Sequence, residues 1–342
     1  MTGAIYAEDL IDEASAQNLC INLDNYTVSP NYCGSANSEP IKNSYSDSKL
    51  YGQIVDAWSM RDSELLDESK RDHFFNTFGV FGGATSNTSA ILANLRSNAY
   101  RENVSYLEIM TGAGSAAANL GSKTGWDDNF SVLYSKLIDN GLPSVSQSLS
   151  NYIIDTARNS LSILENKGDP GKKVTFRDII SATRTLSREK VFGQLAAAFD
   201  AANRSGLAVG VTLLSPEDNY IARENYSLQM NMVEFLHSVY PDVNIALHAG
   251  ELTLGLVATA DLRCDIKEAV EIGQASRIGD GVDIMWEQNS DQVLKEMARN
   301  GVAIEIMPVS NQVILGVSGE DHPFPVYFKR GVPIVLASDD AG

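Results

Sequence analysis

From about residue 100 onward, short apolar runs alternate with longer stretches of helical period, and this rhythm constrains the fold more than any other feature of the chain. The apolar runs are VSYLEIM (104–110), KVTFRDIIS (173–181), LAVGVTLL (207–214), VNIALH (243–248), SRIGDGVDI (276–284), VAIEIM (302–307) and VPIVLAS (332–338). Between them lie helical stretches such as Val191–Asn203, Leu228–Tyr240, Ile266–Ile272 and Asp291–Arg299. Runs apolar at consecutive positions suit strands covered on both faces. Strand and helix in alternation imply a parallel sheet, either a (β/α)8 TIM barrel or a doubly wound sheet. No run leads into a G-x-G-x-x-G turn, and the polar residues of interest collect at several strand ends. Both observations favour the barrel.

A barrel has eight strands, and only seven runs can be counted. The first hundred residues read mostly as helix and loop. Ile5–Gln17 and Tyr51–Trp58 are helical in pattern, and RDHFFNTFGVF (71–81) is rich in aromatic residues. The expected organisation is a single metal-dependent hydrolase barrel domain over 1–342, with 1–100 a mostly helical insertion plus the first helices and 101–342 carrying barrel strands two to eight. Two uncovered parallel edges invite aggregation, so the expectation is a fragment of a longer chain, with a natural open barrel the alternative.

A formal charge of -18 and the absence of a Lys/Arg block argue against a nucleic-acid or anionic membrane surface. A small neutral or cationic partner suits the chain better. No apolar run approaches bilayer length, and MTGAIYAEDL lacks the charged and apolar regions of a signal peptide. The compartment, periplasmic or secreted versus cytoplasmic, stays open. Cys20, Cys33 and Cys264 are too few for a disulfide scaffold and lack C-x-x-C spacing. Two free thiols at Cys20 and Cys33 are the plainer expectation, with a bridge across their Pro/Asn/Tyr loop the alternative in an oxidising compartment.

Chemistry collects at strand ends. NIALHAGEL (244–252) runs apolar and then delivers His248 and Glu251, while Asp339 and Asp340 end the last run. An imidazole and a carboxylate are zinc-type ligands, and a further carboxylate nearby can move a proton, so the set points to metal-assisted hydrolysis. Each piece has a plainer reading: His248 as an ordinary hydrogen-bonded residue, and Ser338-Asp339-Asp340 as the cap of a following helix.

HAGE (248–251), RIGDG (277–281), EIMPVSN (305–311) and SDD (338–340) stand in the order found in the adenosine deaminase family of zinc aminohydrolases, which this chain resembles. GAIYAEDL, RDHFFNTF, YLEIM, GVTLLSPED, HPFPVY and GVPIVLASDD extend the resemblance over essentially the whole chain, toward the longer bacterial and growth-factor-related branch. It implies a zinc site of three histidines and one aspartate, with His248 and Asp339 as two of its ligands. It further implies Glu251 as the group protonating the purine at N1, Asp340 as the partner of N7, and Gly250 and Ser215 as positions lining the substrate. The implied reaction is deamination of adenosine or 2′-deoxyadenosine by a zinc-activated water. The implied cofactor is zinc and the partner a small purine nucleoside, with no nucleic acid and no membrane; a homodimer is left open.

Three departures qualify the resemblance. The family's H-x-H pair is not in the chain, and His73, His237 and His322 stand in contexts that do not suggest ligands. Asp280 replaces a histidine credited with orienting and deprotonating the water; Asp280 and Asp339 are the further catalytic candidates. Ser215 replaces a glycine close to the purine. The alternative function is therefore a catalytically impaired homologue that binds a nucleoside or acts as an extracellular signalling or binding protein. The small-residue segment 111–130 is read as a lid with Trp126 as an apolar wall, or as plain loop.

Overall fold

The computed structural model describes residues 1–65 and 67–340. They fall into two compact units. The first comprises Met1–Leu107, Thr156–Thr175 and the chain from Ser338; the second comprises Glu108–Asp155 and Phe176–Ala337.

In the first unit, helix Ala7–Ala16 buries Ala7, Leu10, Ile11 and Ala14, the three-and-four spacing of one apolar face. Helix Ser48–Trp58 starts at Asp47, whose carboxylate accepts from the Lys49 and Leu50 amides. A small antiparallel sheet, unforeseen in the sequence, follows the first helix: β1 (Cys20–Asn22) lies between β2 (Val28–Ser29) and β3 (Ser38–Pro40). The 3-10 turn Pro30–Tyr32 after β2 carries Cys33 back beside the first residue of β1. Cys20 and Cys33 are joined there by a disulfide, with α-carbons 5.1 Å apart. This corrects the expectation of two free thiols; Cys264 alone carries one. His73 serves this unit through its ring, which contacts Glu68 Oε1 at 2.8 Å and the Ser59 carbonyl at 3.0 Å.

The seven apolar runs all become strands: β4 (Tyr106–Gly112), β5 (Thr175–Thr183), β6 (Ala208–Leu214), β7 (Asn244–Ala249), β8 (Arg277–Asp280), β9 (Ala303–Ile306) and β10 (Ile334–Leu336). They form one sheet in sequence order, from β4 at one edge to β10 at the other. Pairing from β5 through β10 is parallel throughout. This is a (β/α)8 barrel sheet with seven of its eight strands among the described residues. Helices including Arg188–Arg204, Tyr226–Val239, Asp265–Glu271 and Ser290–Asn300 connect the strands, close to the expected ranges.

Segment 111–130 differs from the lid or loop expected of it. Gly114–Thr124 is a helix packed against helix Arg188–Arg204. A Cβ on Gly193 would lie 2.8 Å from the α-carbon of Gly121, so the paired glycines let the two backbones approach. Small residues read as loop in sequence because the same absence of side chain serves flexibility and close helix contact alike. Trp126 lies under the Arg188 guanidinium, 4.6 Å from ring centroid to Cζ, with its Nε1 donating to Asp128.

Candidate active site

The end of β7 carries the densest set of candidate residues. Register places His248 opposite Gly279 and Ala249 opposite Asp280 of β8. Gly279 makes room for the imidazole, since a Cβ there would stand 3.4 Å from His248 Cδ2. Thr212 Oγ1 of β6 lies 3.5 Å from His248 Nδ1, a long contact. The chain then turns at Gly250, where φ is +79° and Asp283 and Ile266 crowd the α-carbon, a position only glycine fills without strain. Glu251 follows, half-buried.

Two charged side chains hold this turn by its backbone. Glu217 accepts the Gly250 amide through Oε1 at 3.1 Å and the Glu251 amide through Oε2 at 2.9 Å. Arg184 donates from Nη2 to the carbonyls of His248 at 2.8 Å and Leu213 at 3.1 Å. Its Nη1 stands 3.8 Å from Glu217 Oε1. Arg184 is 1% and Glu217 2% exposed, so each charge depends on these partners for what water would otherwise supply. The turn after β6 delivers Glu217, and Ser215 makes that turn at φ +90°, in the left-handed region that favours glycine. The glycine of the resembled family would adopt it without cost.

More buried carboxyl groups lie behind the turn. Asp265 pairs with Arg223. Burial, and then the charge of Glu217, raise the Asp265 pKa well above the ordinary value. Asp283 is raised in the same way, first by burial and then by Glu217 and Glu287. Glu287 accepts the Ile266 and Lys267 amides at the start of helix Asp265–Glu271, and burial pushes its carboxyl up to about 7.

β8 ends at Asp280, whose φ of +70° stops the strand short of the run read from the sequence. Its carboxylate is 1% exposed and accepts from Asn311 Nδ2 at 2.9 Å. Asn311 Oδ1 in turn lies 3.0 Å from His322 Nε2. Further down the same strand, Arg277 forms ion pairs with Glu108 and with Glu305. Asp339 and Asp340 follow β10 in sequence and belong to the first unit. Asp339 takes φ +58°. The Asp340 carboxyl packs against the α-carbon of Gly3, and burial followed by the neighbouring Asp339 charge pushes it up to about 7.

Ser215, His248, Gly250, Glu251 and Asp280 thus stand at the same ends of three adjacent parallel strands, β6 to β8. The sequence reading missed Arg184, Glu217, Asn311 and His322 as partners of this site. Three of these stand inside motifs already quoted, SPED, VSN and HPFPVY, and a backbone-binding role had no mark in the pattern. Among the described residues, no three His, Cys, Asp or Glu side chains are grouped to hold a metal ion. A catalytic zinc takes three protein donors, and the described residues gather no such set. The described residues therefore do not by themselves fit a zinc ion. Among the described residues, no helix is long and apolar enough to cross a membrane.

A parallel β/α sheet in sequence order, with an imidazole and carboxylates at its carboxyl ends, belongs to the β/α-barrel class. The family model described as adenosine deaminase matches residues 155–342, more than half of the chain, and the chain belongs to the adenosine deaminase family. An adenosine deaminase of Aedes albopictus is 35% identical over 99 residues, covering 29% of this chain and 17% of that protein. Adenosine deaminase 2-A of Danio rerio is 52% identical over 50 residues, 14% of this chain and 10% of that protein. The chain's matches to these two relatives span less than a fifth of their length. Among solved structures, an adenine deaminase from Arthrobacter aurescens aligns with TM-score 0.55 at 16% identity over 99% of this chain and 79% of that one. Arabidopsis ADAL complexed with GMP aligns with TM-score 0.56 at 16% identity over 99% and 78%. An amidohydrolase from Burkholderia ambifaria with bound Zn aligns with TM-score 0.52 at 14% identity over 99% and 72%. At these identities the three structures establish the shared fold.

Proposed function

We propose that the chain belongs to a hydrolytic deaminase of adenosine and 2′-deoxyadenosine, releasing inosine or 2′-deoxyinosine and ammonia. The observation that carries this reading is the turn His248–Glu251, seated at a strand end by the buried Arg184 and Glu217, in a chain of the adenosine deaminase family. Glu251 gives a proton to purine N1 and makes C6 electrophilic. Asp280 takes a proton from water as the water oxygen adds to C6, then returns it to the amino group as the C6–N bond breaks, and the C6 hydroxyl gives its proton back to Glu251, leaving the 6-oxo purine with its N1–H. Asp340 holds N7, and Gly250 and Ser215 line the purine. His248 and Asp339 are the donors this chain would offer to a zinc ion. The complexes of ADAL with GMP and IMP support a small purine as partner.

The test is ammonia release from adenosine and 2′-deoxyadenosine, with metal content measured in parallel. Glu251→Gln is expected to lower turnover by ~10² to 10⁴. Undiminished turnover would remove Glu251 from its role. A second reading, a homologue that binds a nucleoside without turnover, is favoured by Asp280 standing where the resembled family has histidine. Calorimetric binding of adenosine without ammonia release would select it.

A further inference from the structure

The contacts of Asp280 form a hydrogen-bond chain whose direction can be worked out atom by atom. A backbone amide can only donate, and the Phe324 amide donates to His322 Nδ1 at 3.1 Å. Nδ1 is therefore the bare nitrogen. Burial lowers the His322 pKa, which keeps the ring neutral, so its one hydrogen sits on Nε2. That Nε2–H points at Asn311 Oδ1, 3.0 Å away, and fixes the orientation of the amide: oxygen toward the imidazole, nitrogen toward Asp280. Asn311 Nδ2 then donates to Asp280 Oδ1 at 2.9 Å. Without the imidazole the amide would be free to flip and present its oxygen to the carboxylate. The residues of this chain are 7%, 0% and 1% exposed, so water does not compete for these bonds. They come from separate elements: His322 follows the 3-10 turn Gly319–Asp321, Asn311 lies in helix Pro308–Leu315, and Asp280 ends β8.

We propose that Asn311 and His322 are positioning residues that hold the Asp280 carboxylate as a hydrogen-bond acceptor, oriented to take the proton of the attacking water. This rests on the reading of Asp280 as the base of the proposed deamination. The requirement at this position is a group that accepts a proton. An imidazole meets it with one nitrogen, whereas a carboxylate has two oxygens and a rotatable plane. A donated bond to Oδ1 fixes that plane, and the fixed amide ensures that the bond is donated rather than accepted. The substitution of histidine by aspartate and the directed chain behind it therefore form one device.

The experiment combines spectroscopy, stability and turnover on the full chain. With ¹⁵N-labelled histidine, His322 is expected to show a protonated Nε2 and a bare Nδ1, and Asn311→Ala is expected to disturb that Nε2 signal. Asn311→Ala should lower kcat by about 10²-fold, the scale for a misplaced reacting group, and leave KM within about threefold. Asn311→Asp sets carboxylate against carboxylate and lowers the melting temperature. The exchange Asp280→Asn with Asn311→Asp keeps each hydrogen bond but moves the acceptor one residue away, so thermal stability should return and turnover should not. A merely structural role would restore both. A proton on Nδ1 of His322, an unchanged kcat in Asn311→Ala, or restored turnover in the double exchange overturns the proposal. A wild-type chain that releases no ammonia yet shows the Nε2 proton overturns the deaminase reading instead, and leaves Asp280 established as the acceptor.

Discussion

Removing the Glu217 carboxylate should unseat the turn that carries Glu251, and the size of the effect follows from its contacts. Glu217 accepts two consecutive backbone amides, Gly250 and Glu251, and faces the Arg184 guanidinium at 3.8 Å. Hydrogen bonds to a charged group contribute about 1.5–3 kcal/mol each. Breaking a buried ion pair from one side costs about 3–5 kcal/mol, because the surviving charge stays buried. These overlap, so Glu217→Ala is expected to cost on the order of 5 kcal/mol, a large share of the stability of an ordinary domain. Glu217→Gln is the discriminating variant. Its amide oxygen still accepts one of the two N–H groups, its nitrogen faces the other, and the charge that offsets Arg184 is gone. The expected loss is about 2–4 kcal/mol, read from the urea midpoint at unchanged slope. Amide hydrogen exchange supplies the local measurement: Gly250 and Glu251 should lose protection beyond the global loss. Ammonia release, where measured, should fall through kcat as the Glu251 side chain loses its fixed origin. Exchange at these two amides that only tracks the rest of the chain would refute the clamp. Arg184→Met added to Glu217→Gln removes the stranded charge and should recover part of the stability, a coupling that independent residues would not show.

Three further outcomes follow from single contacts. Gly250→Ala forces a Cβ into Asp283 and to 2.8 Å from Ile266 Cδ1 at a φ of +79°; the expected cost is about 2–4 kcal/mol in urea unfolding. A chain unfolded without reductant should titrate one thiol, Cys264, and three after reduction; loss of the Cys20–Cys33 bridge, which closes a loop of sequence separation 13, should cost about 3 kcal/mol. Burial pushes the Asp178 carboxyl up to about 7 against the lowering effect of Thr111, which donates to it at 2.6 Å. A raised acid pKa stabilises the fold below the unfolded value near 3.9, and that contribution is lost as pH rises through about 7. Asp178→Asn should therefore flatten the fall in stability between pH 4 and 8, a difference on the order of 4 kcal/mol; an unchanged profile would assign the fall to other groups.

The parts of the fold legible in the sequence are those whose signal is burial on two faces. The five inner strands β5 to β9 announced themselves as apolar runs because a parallel sheet covered on both sides leaves little alternation, and the more exposed edge strands β4 and β10 carry the same apolar pattern. β8 was read too long for a conformational reason: residues 281–284 continue the apolar pattern, but the left-handed Asp280 ends the strand before them. The sheet β1–β3 escaped because strands of two and three residues carry no period. Helix Leu142–Lys167 escaped because its serines and asparagines have low intrinsic helix preference, and tertiary packing decides in such cases.

The candidate site divides along a similar line. His248 and Glu251 were legible because a strand that ends in polar residues is itself a pattern. Their supports were not, because Glu217 and Arg184 bind N–H and C=O groups, which every residue carries and no sequence motif distinguishes. The same holds at Asp280, where the direction of the chain from His322 is set by one backbone amide, that of Phe324. A histidine read in isolation as a loop residue with no ligand role thus gains a function only once the donor behind it is known. The replacement of histidine by aspartate in RIGDG then has two readings with opposite consequences, decay of a site or re-wiring of it. A buried carboxylate needs a donor in either case, so the directed hydrogen bonds supply the measurement that separates the two: only in a re-wired site does loss of the Asn311 amide cost turnover as well as stability.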